Sequence, residues 1–309
     1  MPAARCLLRG DLRDSALRTI GLALLGLLVA ISLGATMATA FGWTFAPPLI
    51  RLTALHTAWG LLGWTVLLVA GVAQQVVPMF QATAPYPRWF ARAFAPALVA
   101  LLLAWSVASW FDMEFLSASL TWPILAATAS FAVVTLWLQR HARRQRRDPT
   151  AWFWSLGMLS LLAAPIASGG AQLWGWPETA ALPLAIGTLT IVGFALSVIS
   201  GMLYKIVPFL LWLELQRDLR GRPPHIKQIM PDHYARLQLG LHAAATLTLL
   251  SAAVGHQVWF YPGAGLLAAS ALTLGVSLLR ASWFAHRSFH GSESLPRPIG
   301  GSRPGWREL

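Results

Sequence analysis

Residues 52–80 read LTALHTAWGLLGWTVLLVAGVAQQVVPMF, without one Asp, Glu, Lys or Arg. A helix needs about 20 mostly apolar residues to cross a hydrocarbon core about 30 Å thick, and this stretch exceeds that. Working outward from it, similar runs fall at 18–40, 92–111, 118–139, 152–173, 181–213, 236–258 and 261–282. The expected fold is therefore all-α: a polytopic integral membrane protein with eight transmembrane helices. The whole chain is 56% apolar and only 11% charged, against about 25% charged residues in an ordinary soluble domain.

The basic residues sort by side. Of 23 Lys and Arg, every one except Arg51 falls before the first run, after an even-numbered run, or just inside the adjoining end of a run (Arg18, Arg92, Lys205, Arg236 and Arg280). Short loops rich in Lys and Arg stay cytoplasmic, so both termini are expected inside, in a bacterial inner membrane. The net charge of +12 follows from this sorting, and no nucleic-acid partner is expected. The single cysteine, Cys6, excludes an intrachain disulfide and a multi-cysteine metal site. Trp110, Trp122, Trp152, Trp154, Trp174, Trp259 and Trp283 lie near run ends, where an amphipathic ring suits the headgroup zone.

The second and sixth runs share a pattern at one constant offset. Gly63, Gly71 and Val77-Pro78 align with Gly193, Gly201 and Val207-Pro208, while Ala91-Arg92 and Ala235-Arg236 open the third and seventh runs. Matching runs four apart have the same orientation, which predicts two parallel four-helix repeats. The expected organisation is a cytoplasmic N-terminal tail at 1–17, repeats at 18–139 and 152–282, a basic linker at 140–151, and a flexible cytoplasmic tail at 283–309. Each Val-Pro pair is expected to break its helix near the cytoplasmic end.

Polar side chains at depth in hydrocarbon are costly and mark candidate sites. His56 lies near the outer end of the second run, with Gly60 and Gly63 expected to clear space beside it for a flat macrocycle. His256 lies at comparable depth in the seventh run, and two imidazoles at similar height could hold a haem or another metal. The plainer reading of His256 is an interfacial side chain. His242, deeper in the same run, is an alternative ligand. Toward the cytoplasm, Gln74 and Gln75 align with Tyr204 and Lys205. The four are expected to meet near the repeat axis as an anion or proton site, although Lys205 could equally snorkel to the headgroups.

His56, Gly60, Gly63, Gly71 and Val77-Pro78, with Ser200-Gly201 and Val207-Pro208-Phe209, resemble the NnrS-type haem–copper membrane proteins. More loosely they resemble the catalytic subunit of haem–copper oxidases. The resemblance covers the second and sixth runs. It implies haem b, with copper as a further metal, His56 as an axial ligand, and respiratory electron transfer or a nitric-oxide or redox response. The chain departs from those families in having eight runs instead of about twelve and too few histidines for a binuclear centre. A complete oxidase is therefore not expected. Partners under this reading are the lipid bilayer, respiratory-chain subunits or a periplasmic redox protein. Two other function classes fit the same residues: a small-molecule or ion permease with its site in the polar quartet, and a cofactor-free accessory or assembly subunit of an oxidase.

Overall fold

The computed structural model describes residues 15–40, 48–142, 148–175, 181–218 and 225–293, and among them the chain is helical with no strand. Helix α1 is Ser15–Thr39, and α2 runs through Leu49–Ala58, a π-helical segment Trp59–Val66 and Leu67–Gln81. Helices α3 (Arg88–Trp110), α4 (Glu114–Arg140) and α5 (Pro149–Leu173) follow. Helix α6 comprises Ala181–Gly187, a second π segment Thr188–Leu196 and Ser197–Asp218. A short α7 (Ile226–Ile229), then α8 (Asp232–Ala253), a 3-10 turn (Gln257–Trp259) and α9 (Phe260–Glu293) complete the order. The 1–14 tail with Cys6, most of the linker's arginine run at 143–147, and 294–309 lie outside the described residues.

Seven of these helices are long and apolar enough to cross a membrane: α1 to α6 and α9. Helix α8, the expected seventh span, is not among them. Its first half carries Asp232, His233, Arg236, Gln238 and His242, and that polarity lowers its mean hydropathy. The expected boundaries otherwise shift by a few residues, because helices continue through polar first turns. Asp148, for example, caps α5 at its N-terminus ahead of Pro149, accepting a hydrogen bond from the Ala151 amide at 3.2 Å. Helix α9 also runs on past 282, through Glu293.

Lipid-facing character is visible directly. Leu25, Leu28, Ile31, Ile50, Leu159, Ile166, Leu247, Leu272 and Leu279 are all more than half exposed. In water that surface would be a standing aggregation liability, whereas in lipid it is solvated. Most of the terminal tryptophans are exposed too, as a belt requires. Trp154 is a correction: it is 1% exposed, and its indole N–H donates to Met202 Sδ at 3.1 Å. Arg51, the one basic residue at the arginine-poor end, forms an ion pair with Asp112 and donates to the Trp110 carbonyl at 2.6 Å. Its charge is thus neutralised where it falls.

The prolines give a second correction. Pro78 and Pro208 sit inside continuous helix, which runs on to Gln81 and Asp218. A membrane helix tolerates proline when neighbouring helices re-satisfy the freed backbone. Helix α2 ends instead at Ala82, which adopts a left-handed φ of 53°.

Two buried apolar clusters hold the described helices together, and the larger runs from α1 to α6. Tyr86, Phe90, Phe94 and Phe131 form a ladder with successive ring centroids 6.2, 5.2 and 5.6 Å apart. The same apolar cluster continues into Trp154, Met158, Leu161, Phe194 and Met202 of α5 and α6. The first four long helices and those that follow meet through α4 on α5 and through the two π segments, which touch each other. Near the arginine-rich end, Phe80 meets Phe209 edge to face at 6.2 Å.

Candidate functional site

His56 lies on the first, regular part of α2, three residues before the π segment. Its Nδ1 is 2.9 Å from the Ala30 carbonyl of α1. A carbonyl only accepts, so the proton sits on Nδ1 and the Nε2 lone pair is free. Gly34 makes this approach feasible: a Cβ there would stand 3.0 Å from His56 Cε1. One turn on, Gly60 faces open space, with nothing within 4 Å of where a Cβ would be. Gly63 does not share that opening. Its face is occupied by the Trp59 ring, 2.6 Å from a would-be Cβ, and its carbonyl lies against Gly26 of α1. Gly63 therefore serves helix packing, and only Gly60 clears room.

The π segment has its own accounting. A wide turn displaces backbone carbonyls from their regular partners. Thr65 Oγ1 donates to the Gly60 carbonyl at 2.9 Å, and the Trp59 indole reaches across to Ser106 Oγ of α3 at 2.9 Å. In α6 the corresponding service comes from another helix: His242 Nε2 of α8 donates to the Val192 carbonyl at 3.0 Å. His242 is 2% exposed and packs 6.2 Å from the Phe153 ring. Its Nε2 is thereby committed, unlike that of His56.

His256 falls outside any long helix. Gly255, with φ of 118°, ends α8 early, and His256 stands exposed ahead of the 3-10 turn. The three histidines thus lie apart in the chain's architecture: His56 on α2 against α1, His242 on α8 against α6, and His256 exposed in the turn after α8. Among the described residues no three His, Cys, Asp or Glu side chains converge as a metal-holding group.

The polar quartet is also dispersed: Gln74, Tyr204 and Lys205 have separate partners, and Gln75 faces out. Ser15 Oγ donates to Gln74 Oε1 at 2.7 Å, and Gln74 Nε2 donates to Thr19 Oγ1 at 3.2 Å, both on α1. Gln75 is exposed. Tyr204 donates to Ser277 Oγ of α9 at 3.3 Å, while Lys205 forms an ion pair with Asp148 at the start of α5. Glycines cause this. A Cβ on Gly71 would lie 2.7 Å from Ile20 Cγ1, and one on Gly201 would lie 2.7 Å from Phe153 Cβ. Each glycine draws its helix against the partner in its own half, so the next turn's side chains reach there first.

Lys205 is therefore paired, where snorkelling was the alternative. Burial pushes the Asp148 carboxyl up, but Lys205, the Thr150 hydroxyl and the Ala151 amide together hold it below the usual carboxylate range. Asp148 was not among the expected site residues, although Asp148-Pro149-Thr150 carries the helix-start signature of a capping carboxylate before proline.

No protein-family model, curated protein or solved structure matches this chain.

Proposed function

We propose that this chain is an inner-membrane haem b-binding protein, with His56 as an axial ligand, serving electron transfer or a nitric-oxide or redox response. The observation that carries the reading is the His56 imidazole, with Nδ1 anchored on the Ala30 carbonyl, Nε2 free, and Gly60 open beside it. Metal-bound histidines characteristically donate their other nitrogen to a carbonyl or carboxylate, which fixes tautomer and ring orientation. Haem iron, when bound, supplies a one-electron couple and a coordination position for a diatomic gas. The chain's own part is to hold the imidazole at a set angle, through Ala30 and Gly34, and to keep the adjacent face clear of side chains.

Protein purified after haem-replete expression should be coloured, with a Soret band that His56→Ala abolishes while the elution volume on gel filtration is kept. His242→Ala and His256→Ala then report on the opposite ligand. A colourless native protein from the same expression would sink the proposal. A permease is the second reading, favoured by the π segments that touch between the halves, since such wide turns recur at functional sites. Its signature is uptake by a colourless protein in proteoliposomes.

The reading includes eight passes in two parallel repeats, with both termini cytoplasmic. The offset that sets Gly63 on Gly193 also sets the first π segment on 189–196, within the second one, Thr188–Leu196, which supports the repeat. Cysteine accessibility tests the topology. In a Cys6→Ser background, Ser117→Cys at the α3–α4 end should react with an impermeant maleimide in intact cells, and Ala84→Cys, exposed in the α2–α3 connection, should not. The reverse pattern would invert the orientation.

A further inference from the structure

Beside the start of α3, at the arginine-rich end of the first half, lies a cavity of about 350 Å³ that the haem reading does not use. Its polar lining is Ser15 of α1, Gln74 and Gln75 of α2, and Arg88 and Arg92 of α3, with the Tyr86 ring on one wall. Arg88 and Arg92 are one helical turn apart, so both guanidinium groups stand on one face of α3. Neither makes an ion pair with a described residue, and no described acidic side chain lines the space. The Tyr86 hydroxyl is engaged with Thr135 Oγ1 at 2.8 Å, and Ser15 is spent on Gln74. The donors left for a guest are the two guanidinium forks and the Gln75 amide.

The second half shows what such a position wants. Under the same offset Gln75 corresponds to Lys205, and Lys205 is satisfied by Asp148 from the helix that follows the linker. In the first half Ser15 of α1 lines the cavity, and the positive charges come from α3 instead. The anion is supplied from within the fold in one half and is missing among the described residues in the other.

We propose that this cavity binds a phosphate group, held by Arg88 and Arg92 with the Gln75 amide as a third donor. Guanidinium forks match phosphate oxygens in pairs, and basic pockets between membrane helices on the cytoplasmic side suit anionic headgroups. The group comes either from an inner-leaflet lipid or from a free phosphate compound; the recognition chemistry is shared. The site stands independently of any haem at His56.

The test uses the full chain in two arms. Delipidated protein in neutral detergent is titrated with inorganic phosphate by calorimetry. In parallel, protein in nanodiscs of phosphatidylglycerol or of phosphatidylcholine alone is analysed for retained lipid by native mass spectrometry. Saturable binding in the first arm identifies a free phosphate ligand. Selective retention of phosphatidylglycerol, without phosphate binding, identifies a lipid headgroup. Arg88→Gln and Arg92→Gln should each weaken the bound species about tenfold, while Arg140→Gln at the same end leaves it unchanged. Should the glutamine variants fold poorly, Arg88→Lys and Arg92→Lys keep the charge but lose the fork, and should still weaken binding. Asp14, outside the described residues, is the carboxylate nearest in sequence to the cavity wall, so Asp14→Asn is run alongside. The proposal is overturned if neither arm shows binding, if the arginine variants match Arg140→Gln, or if binding appears only with Asp14→Asn.

Discussion

Gly26→Ala should destabilise the protein by about 3 kcal/mol, at the upper end of what an inserted methyl in a packed interface costs. The added Cβ would fall well inside the van der Waals shell of the Gly63 carbonyl oxygen, with the carbonyl carbon equally crowded. Nothing there is a flexible side-chain end that can swing away. Two backbones would have to separate, and α1 packs on α2 along much of its length. Separation would also lift Ala30 from His56 and Ser15 from Gln74, because both contacts cross the same seam. Gly21→Ala on the same helix is the matched control, since a Cβ there meets nothing within 4 Å. That variant should be neutral or slightly stabilising, as Ala outranks Gly in a helix by about 0.5–1 kcal/mol. Unfolding in mixed micelles measures both. Equal stabilities for the two variants would show that α1 does not seat on α2 through Gly26.

The second expected result concerns acid. Asp148 both caps α5 and pairs with Lys205, and the two side chains are 31% and 30% exposed. Losing the cap costs about 1 kcal/mol. The ion pair, partly screened, lies between the near-zero worth of exposed pairs and the much larger loss when a buried partner is orphaned. Asp148→Ala should therefore cost about 2 kcal/mol at neutral pH. Asp148→Asn, which keeps a capping oxygen, should cost about half of that. Because the folded carboxyl titrates below its ordinary value, its contribution is complete above the unfolded pKa. It drains away as pH falls through the lower folded value. Native protein and Asp148→Asn should thus differ at neutral pH and converge as pH falls below the ordinary carboxylate range. A constant gap in melting temperature across that range would assign the stabilisation to capping alone.

The long helices were legible because composition carries them, one residue at a time. Arg51, which breaks the charge rule, pairs with Asp112 from a different gap, and composition alone does not set those two gaps side by side. What composition could not carry was direction. Trp154 sits at a run end just as Trp152 does, yet one is core and the other faces out, and only the contacts of α5 with α6 decide between them. The quartet Gln74, Gln75, Tyr204 and Lys205 was expected to meet, and its members have different surroundings. Where those positions point depends on Gly71 and Gly201 drawing each helix toward its own half. His256 moved out of its helix because Gly255 adopts a backbone conformation that a run of apolar residues does not announce. Gly63, expected to clear space beside His56, belongs instead to the seam with α1.

The wide turns in α2 and α6 leave a lasting constraint on any change to this chain. Each takes up about one residue more than a regular helix of equal rise, so everything toward the arginine-rich end is rotated by about 100° from where an unbroken helix would aim it. Removing one residue from either segment would close the wide turn into regular helix and leave Gly71 or Gly201, with the polar pair behind it, aimed at the same neighbour. Closing the turn at full length would instead swing that glycine off its partner helix. Single-residue deletions within these segments should therefore be better tolerated than deletions in the regular helix of α3 or α4, which has no extra residue to give up.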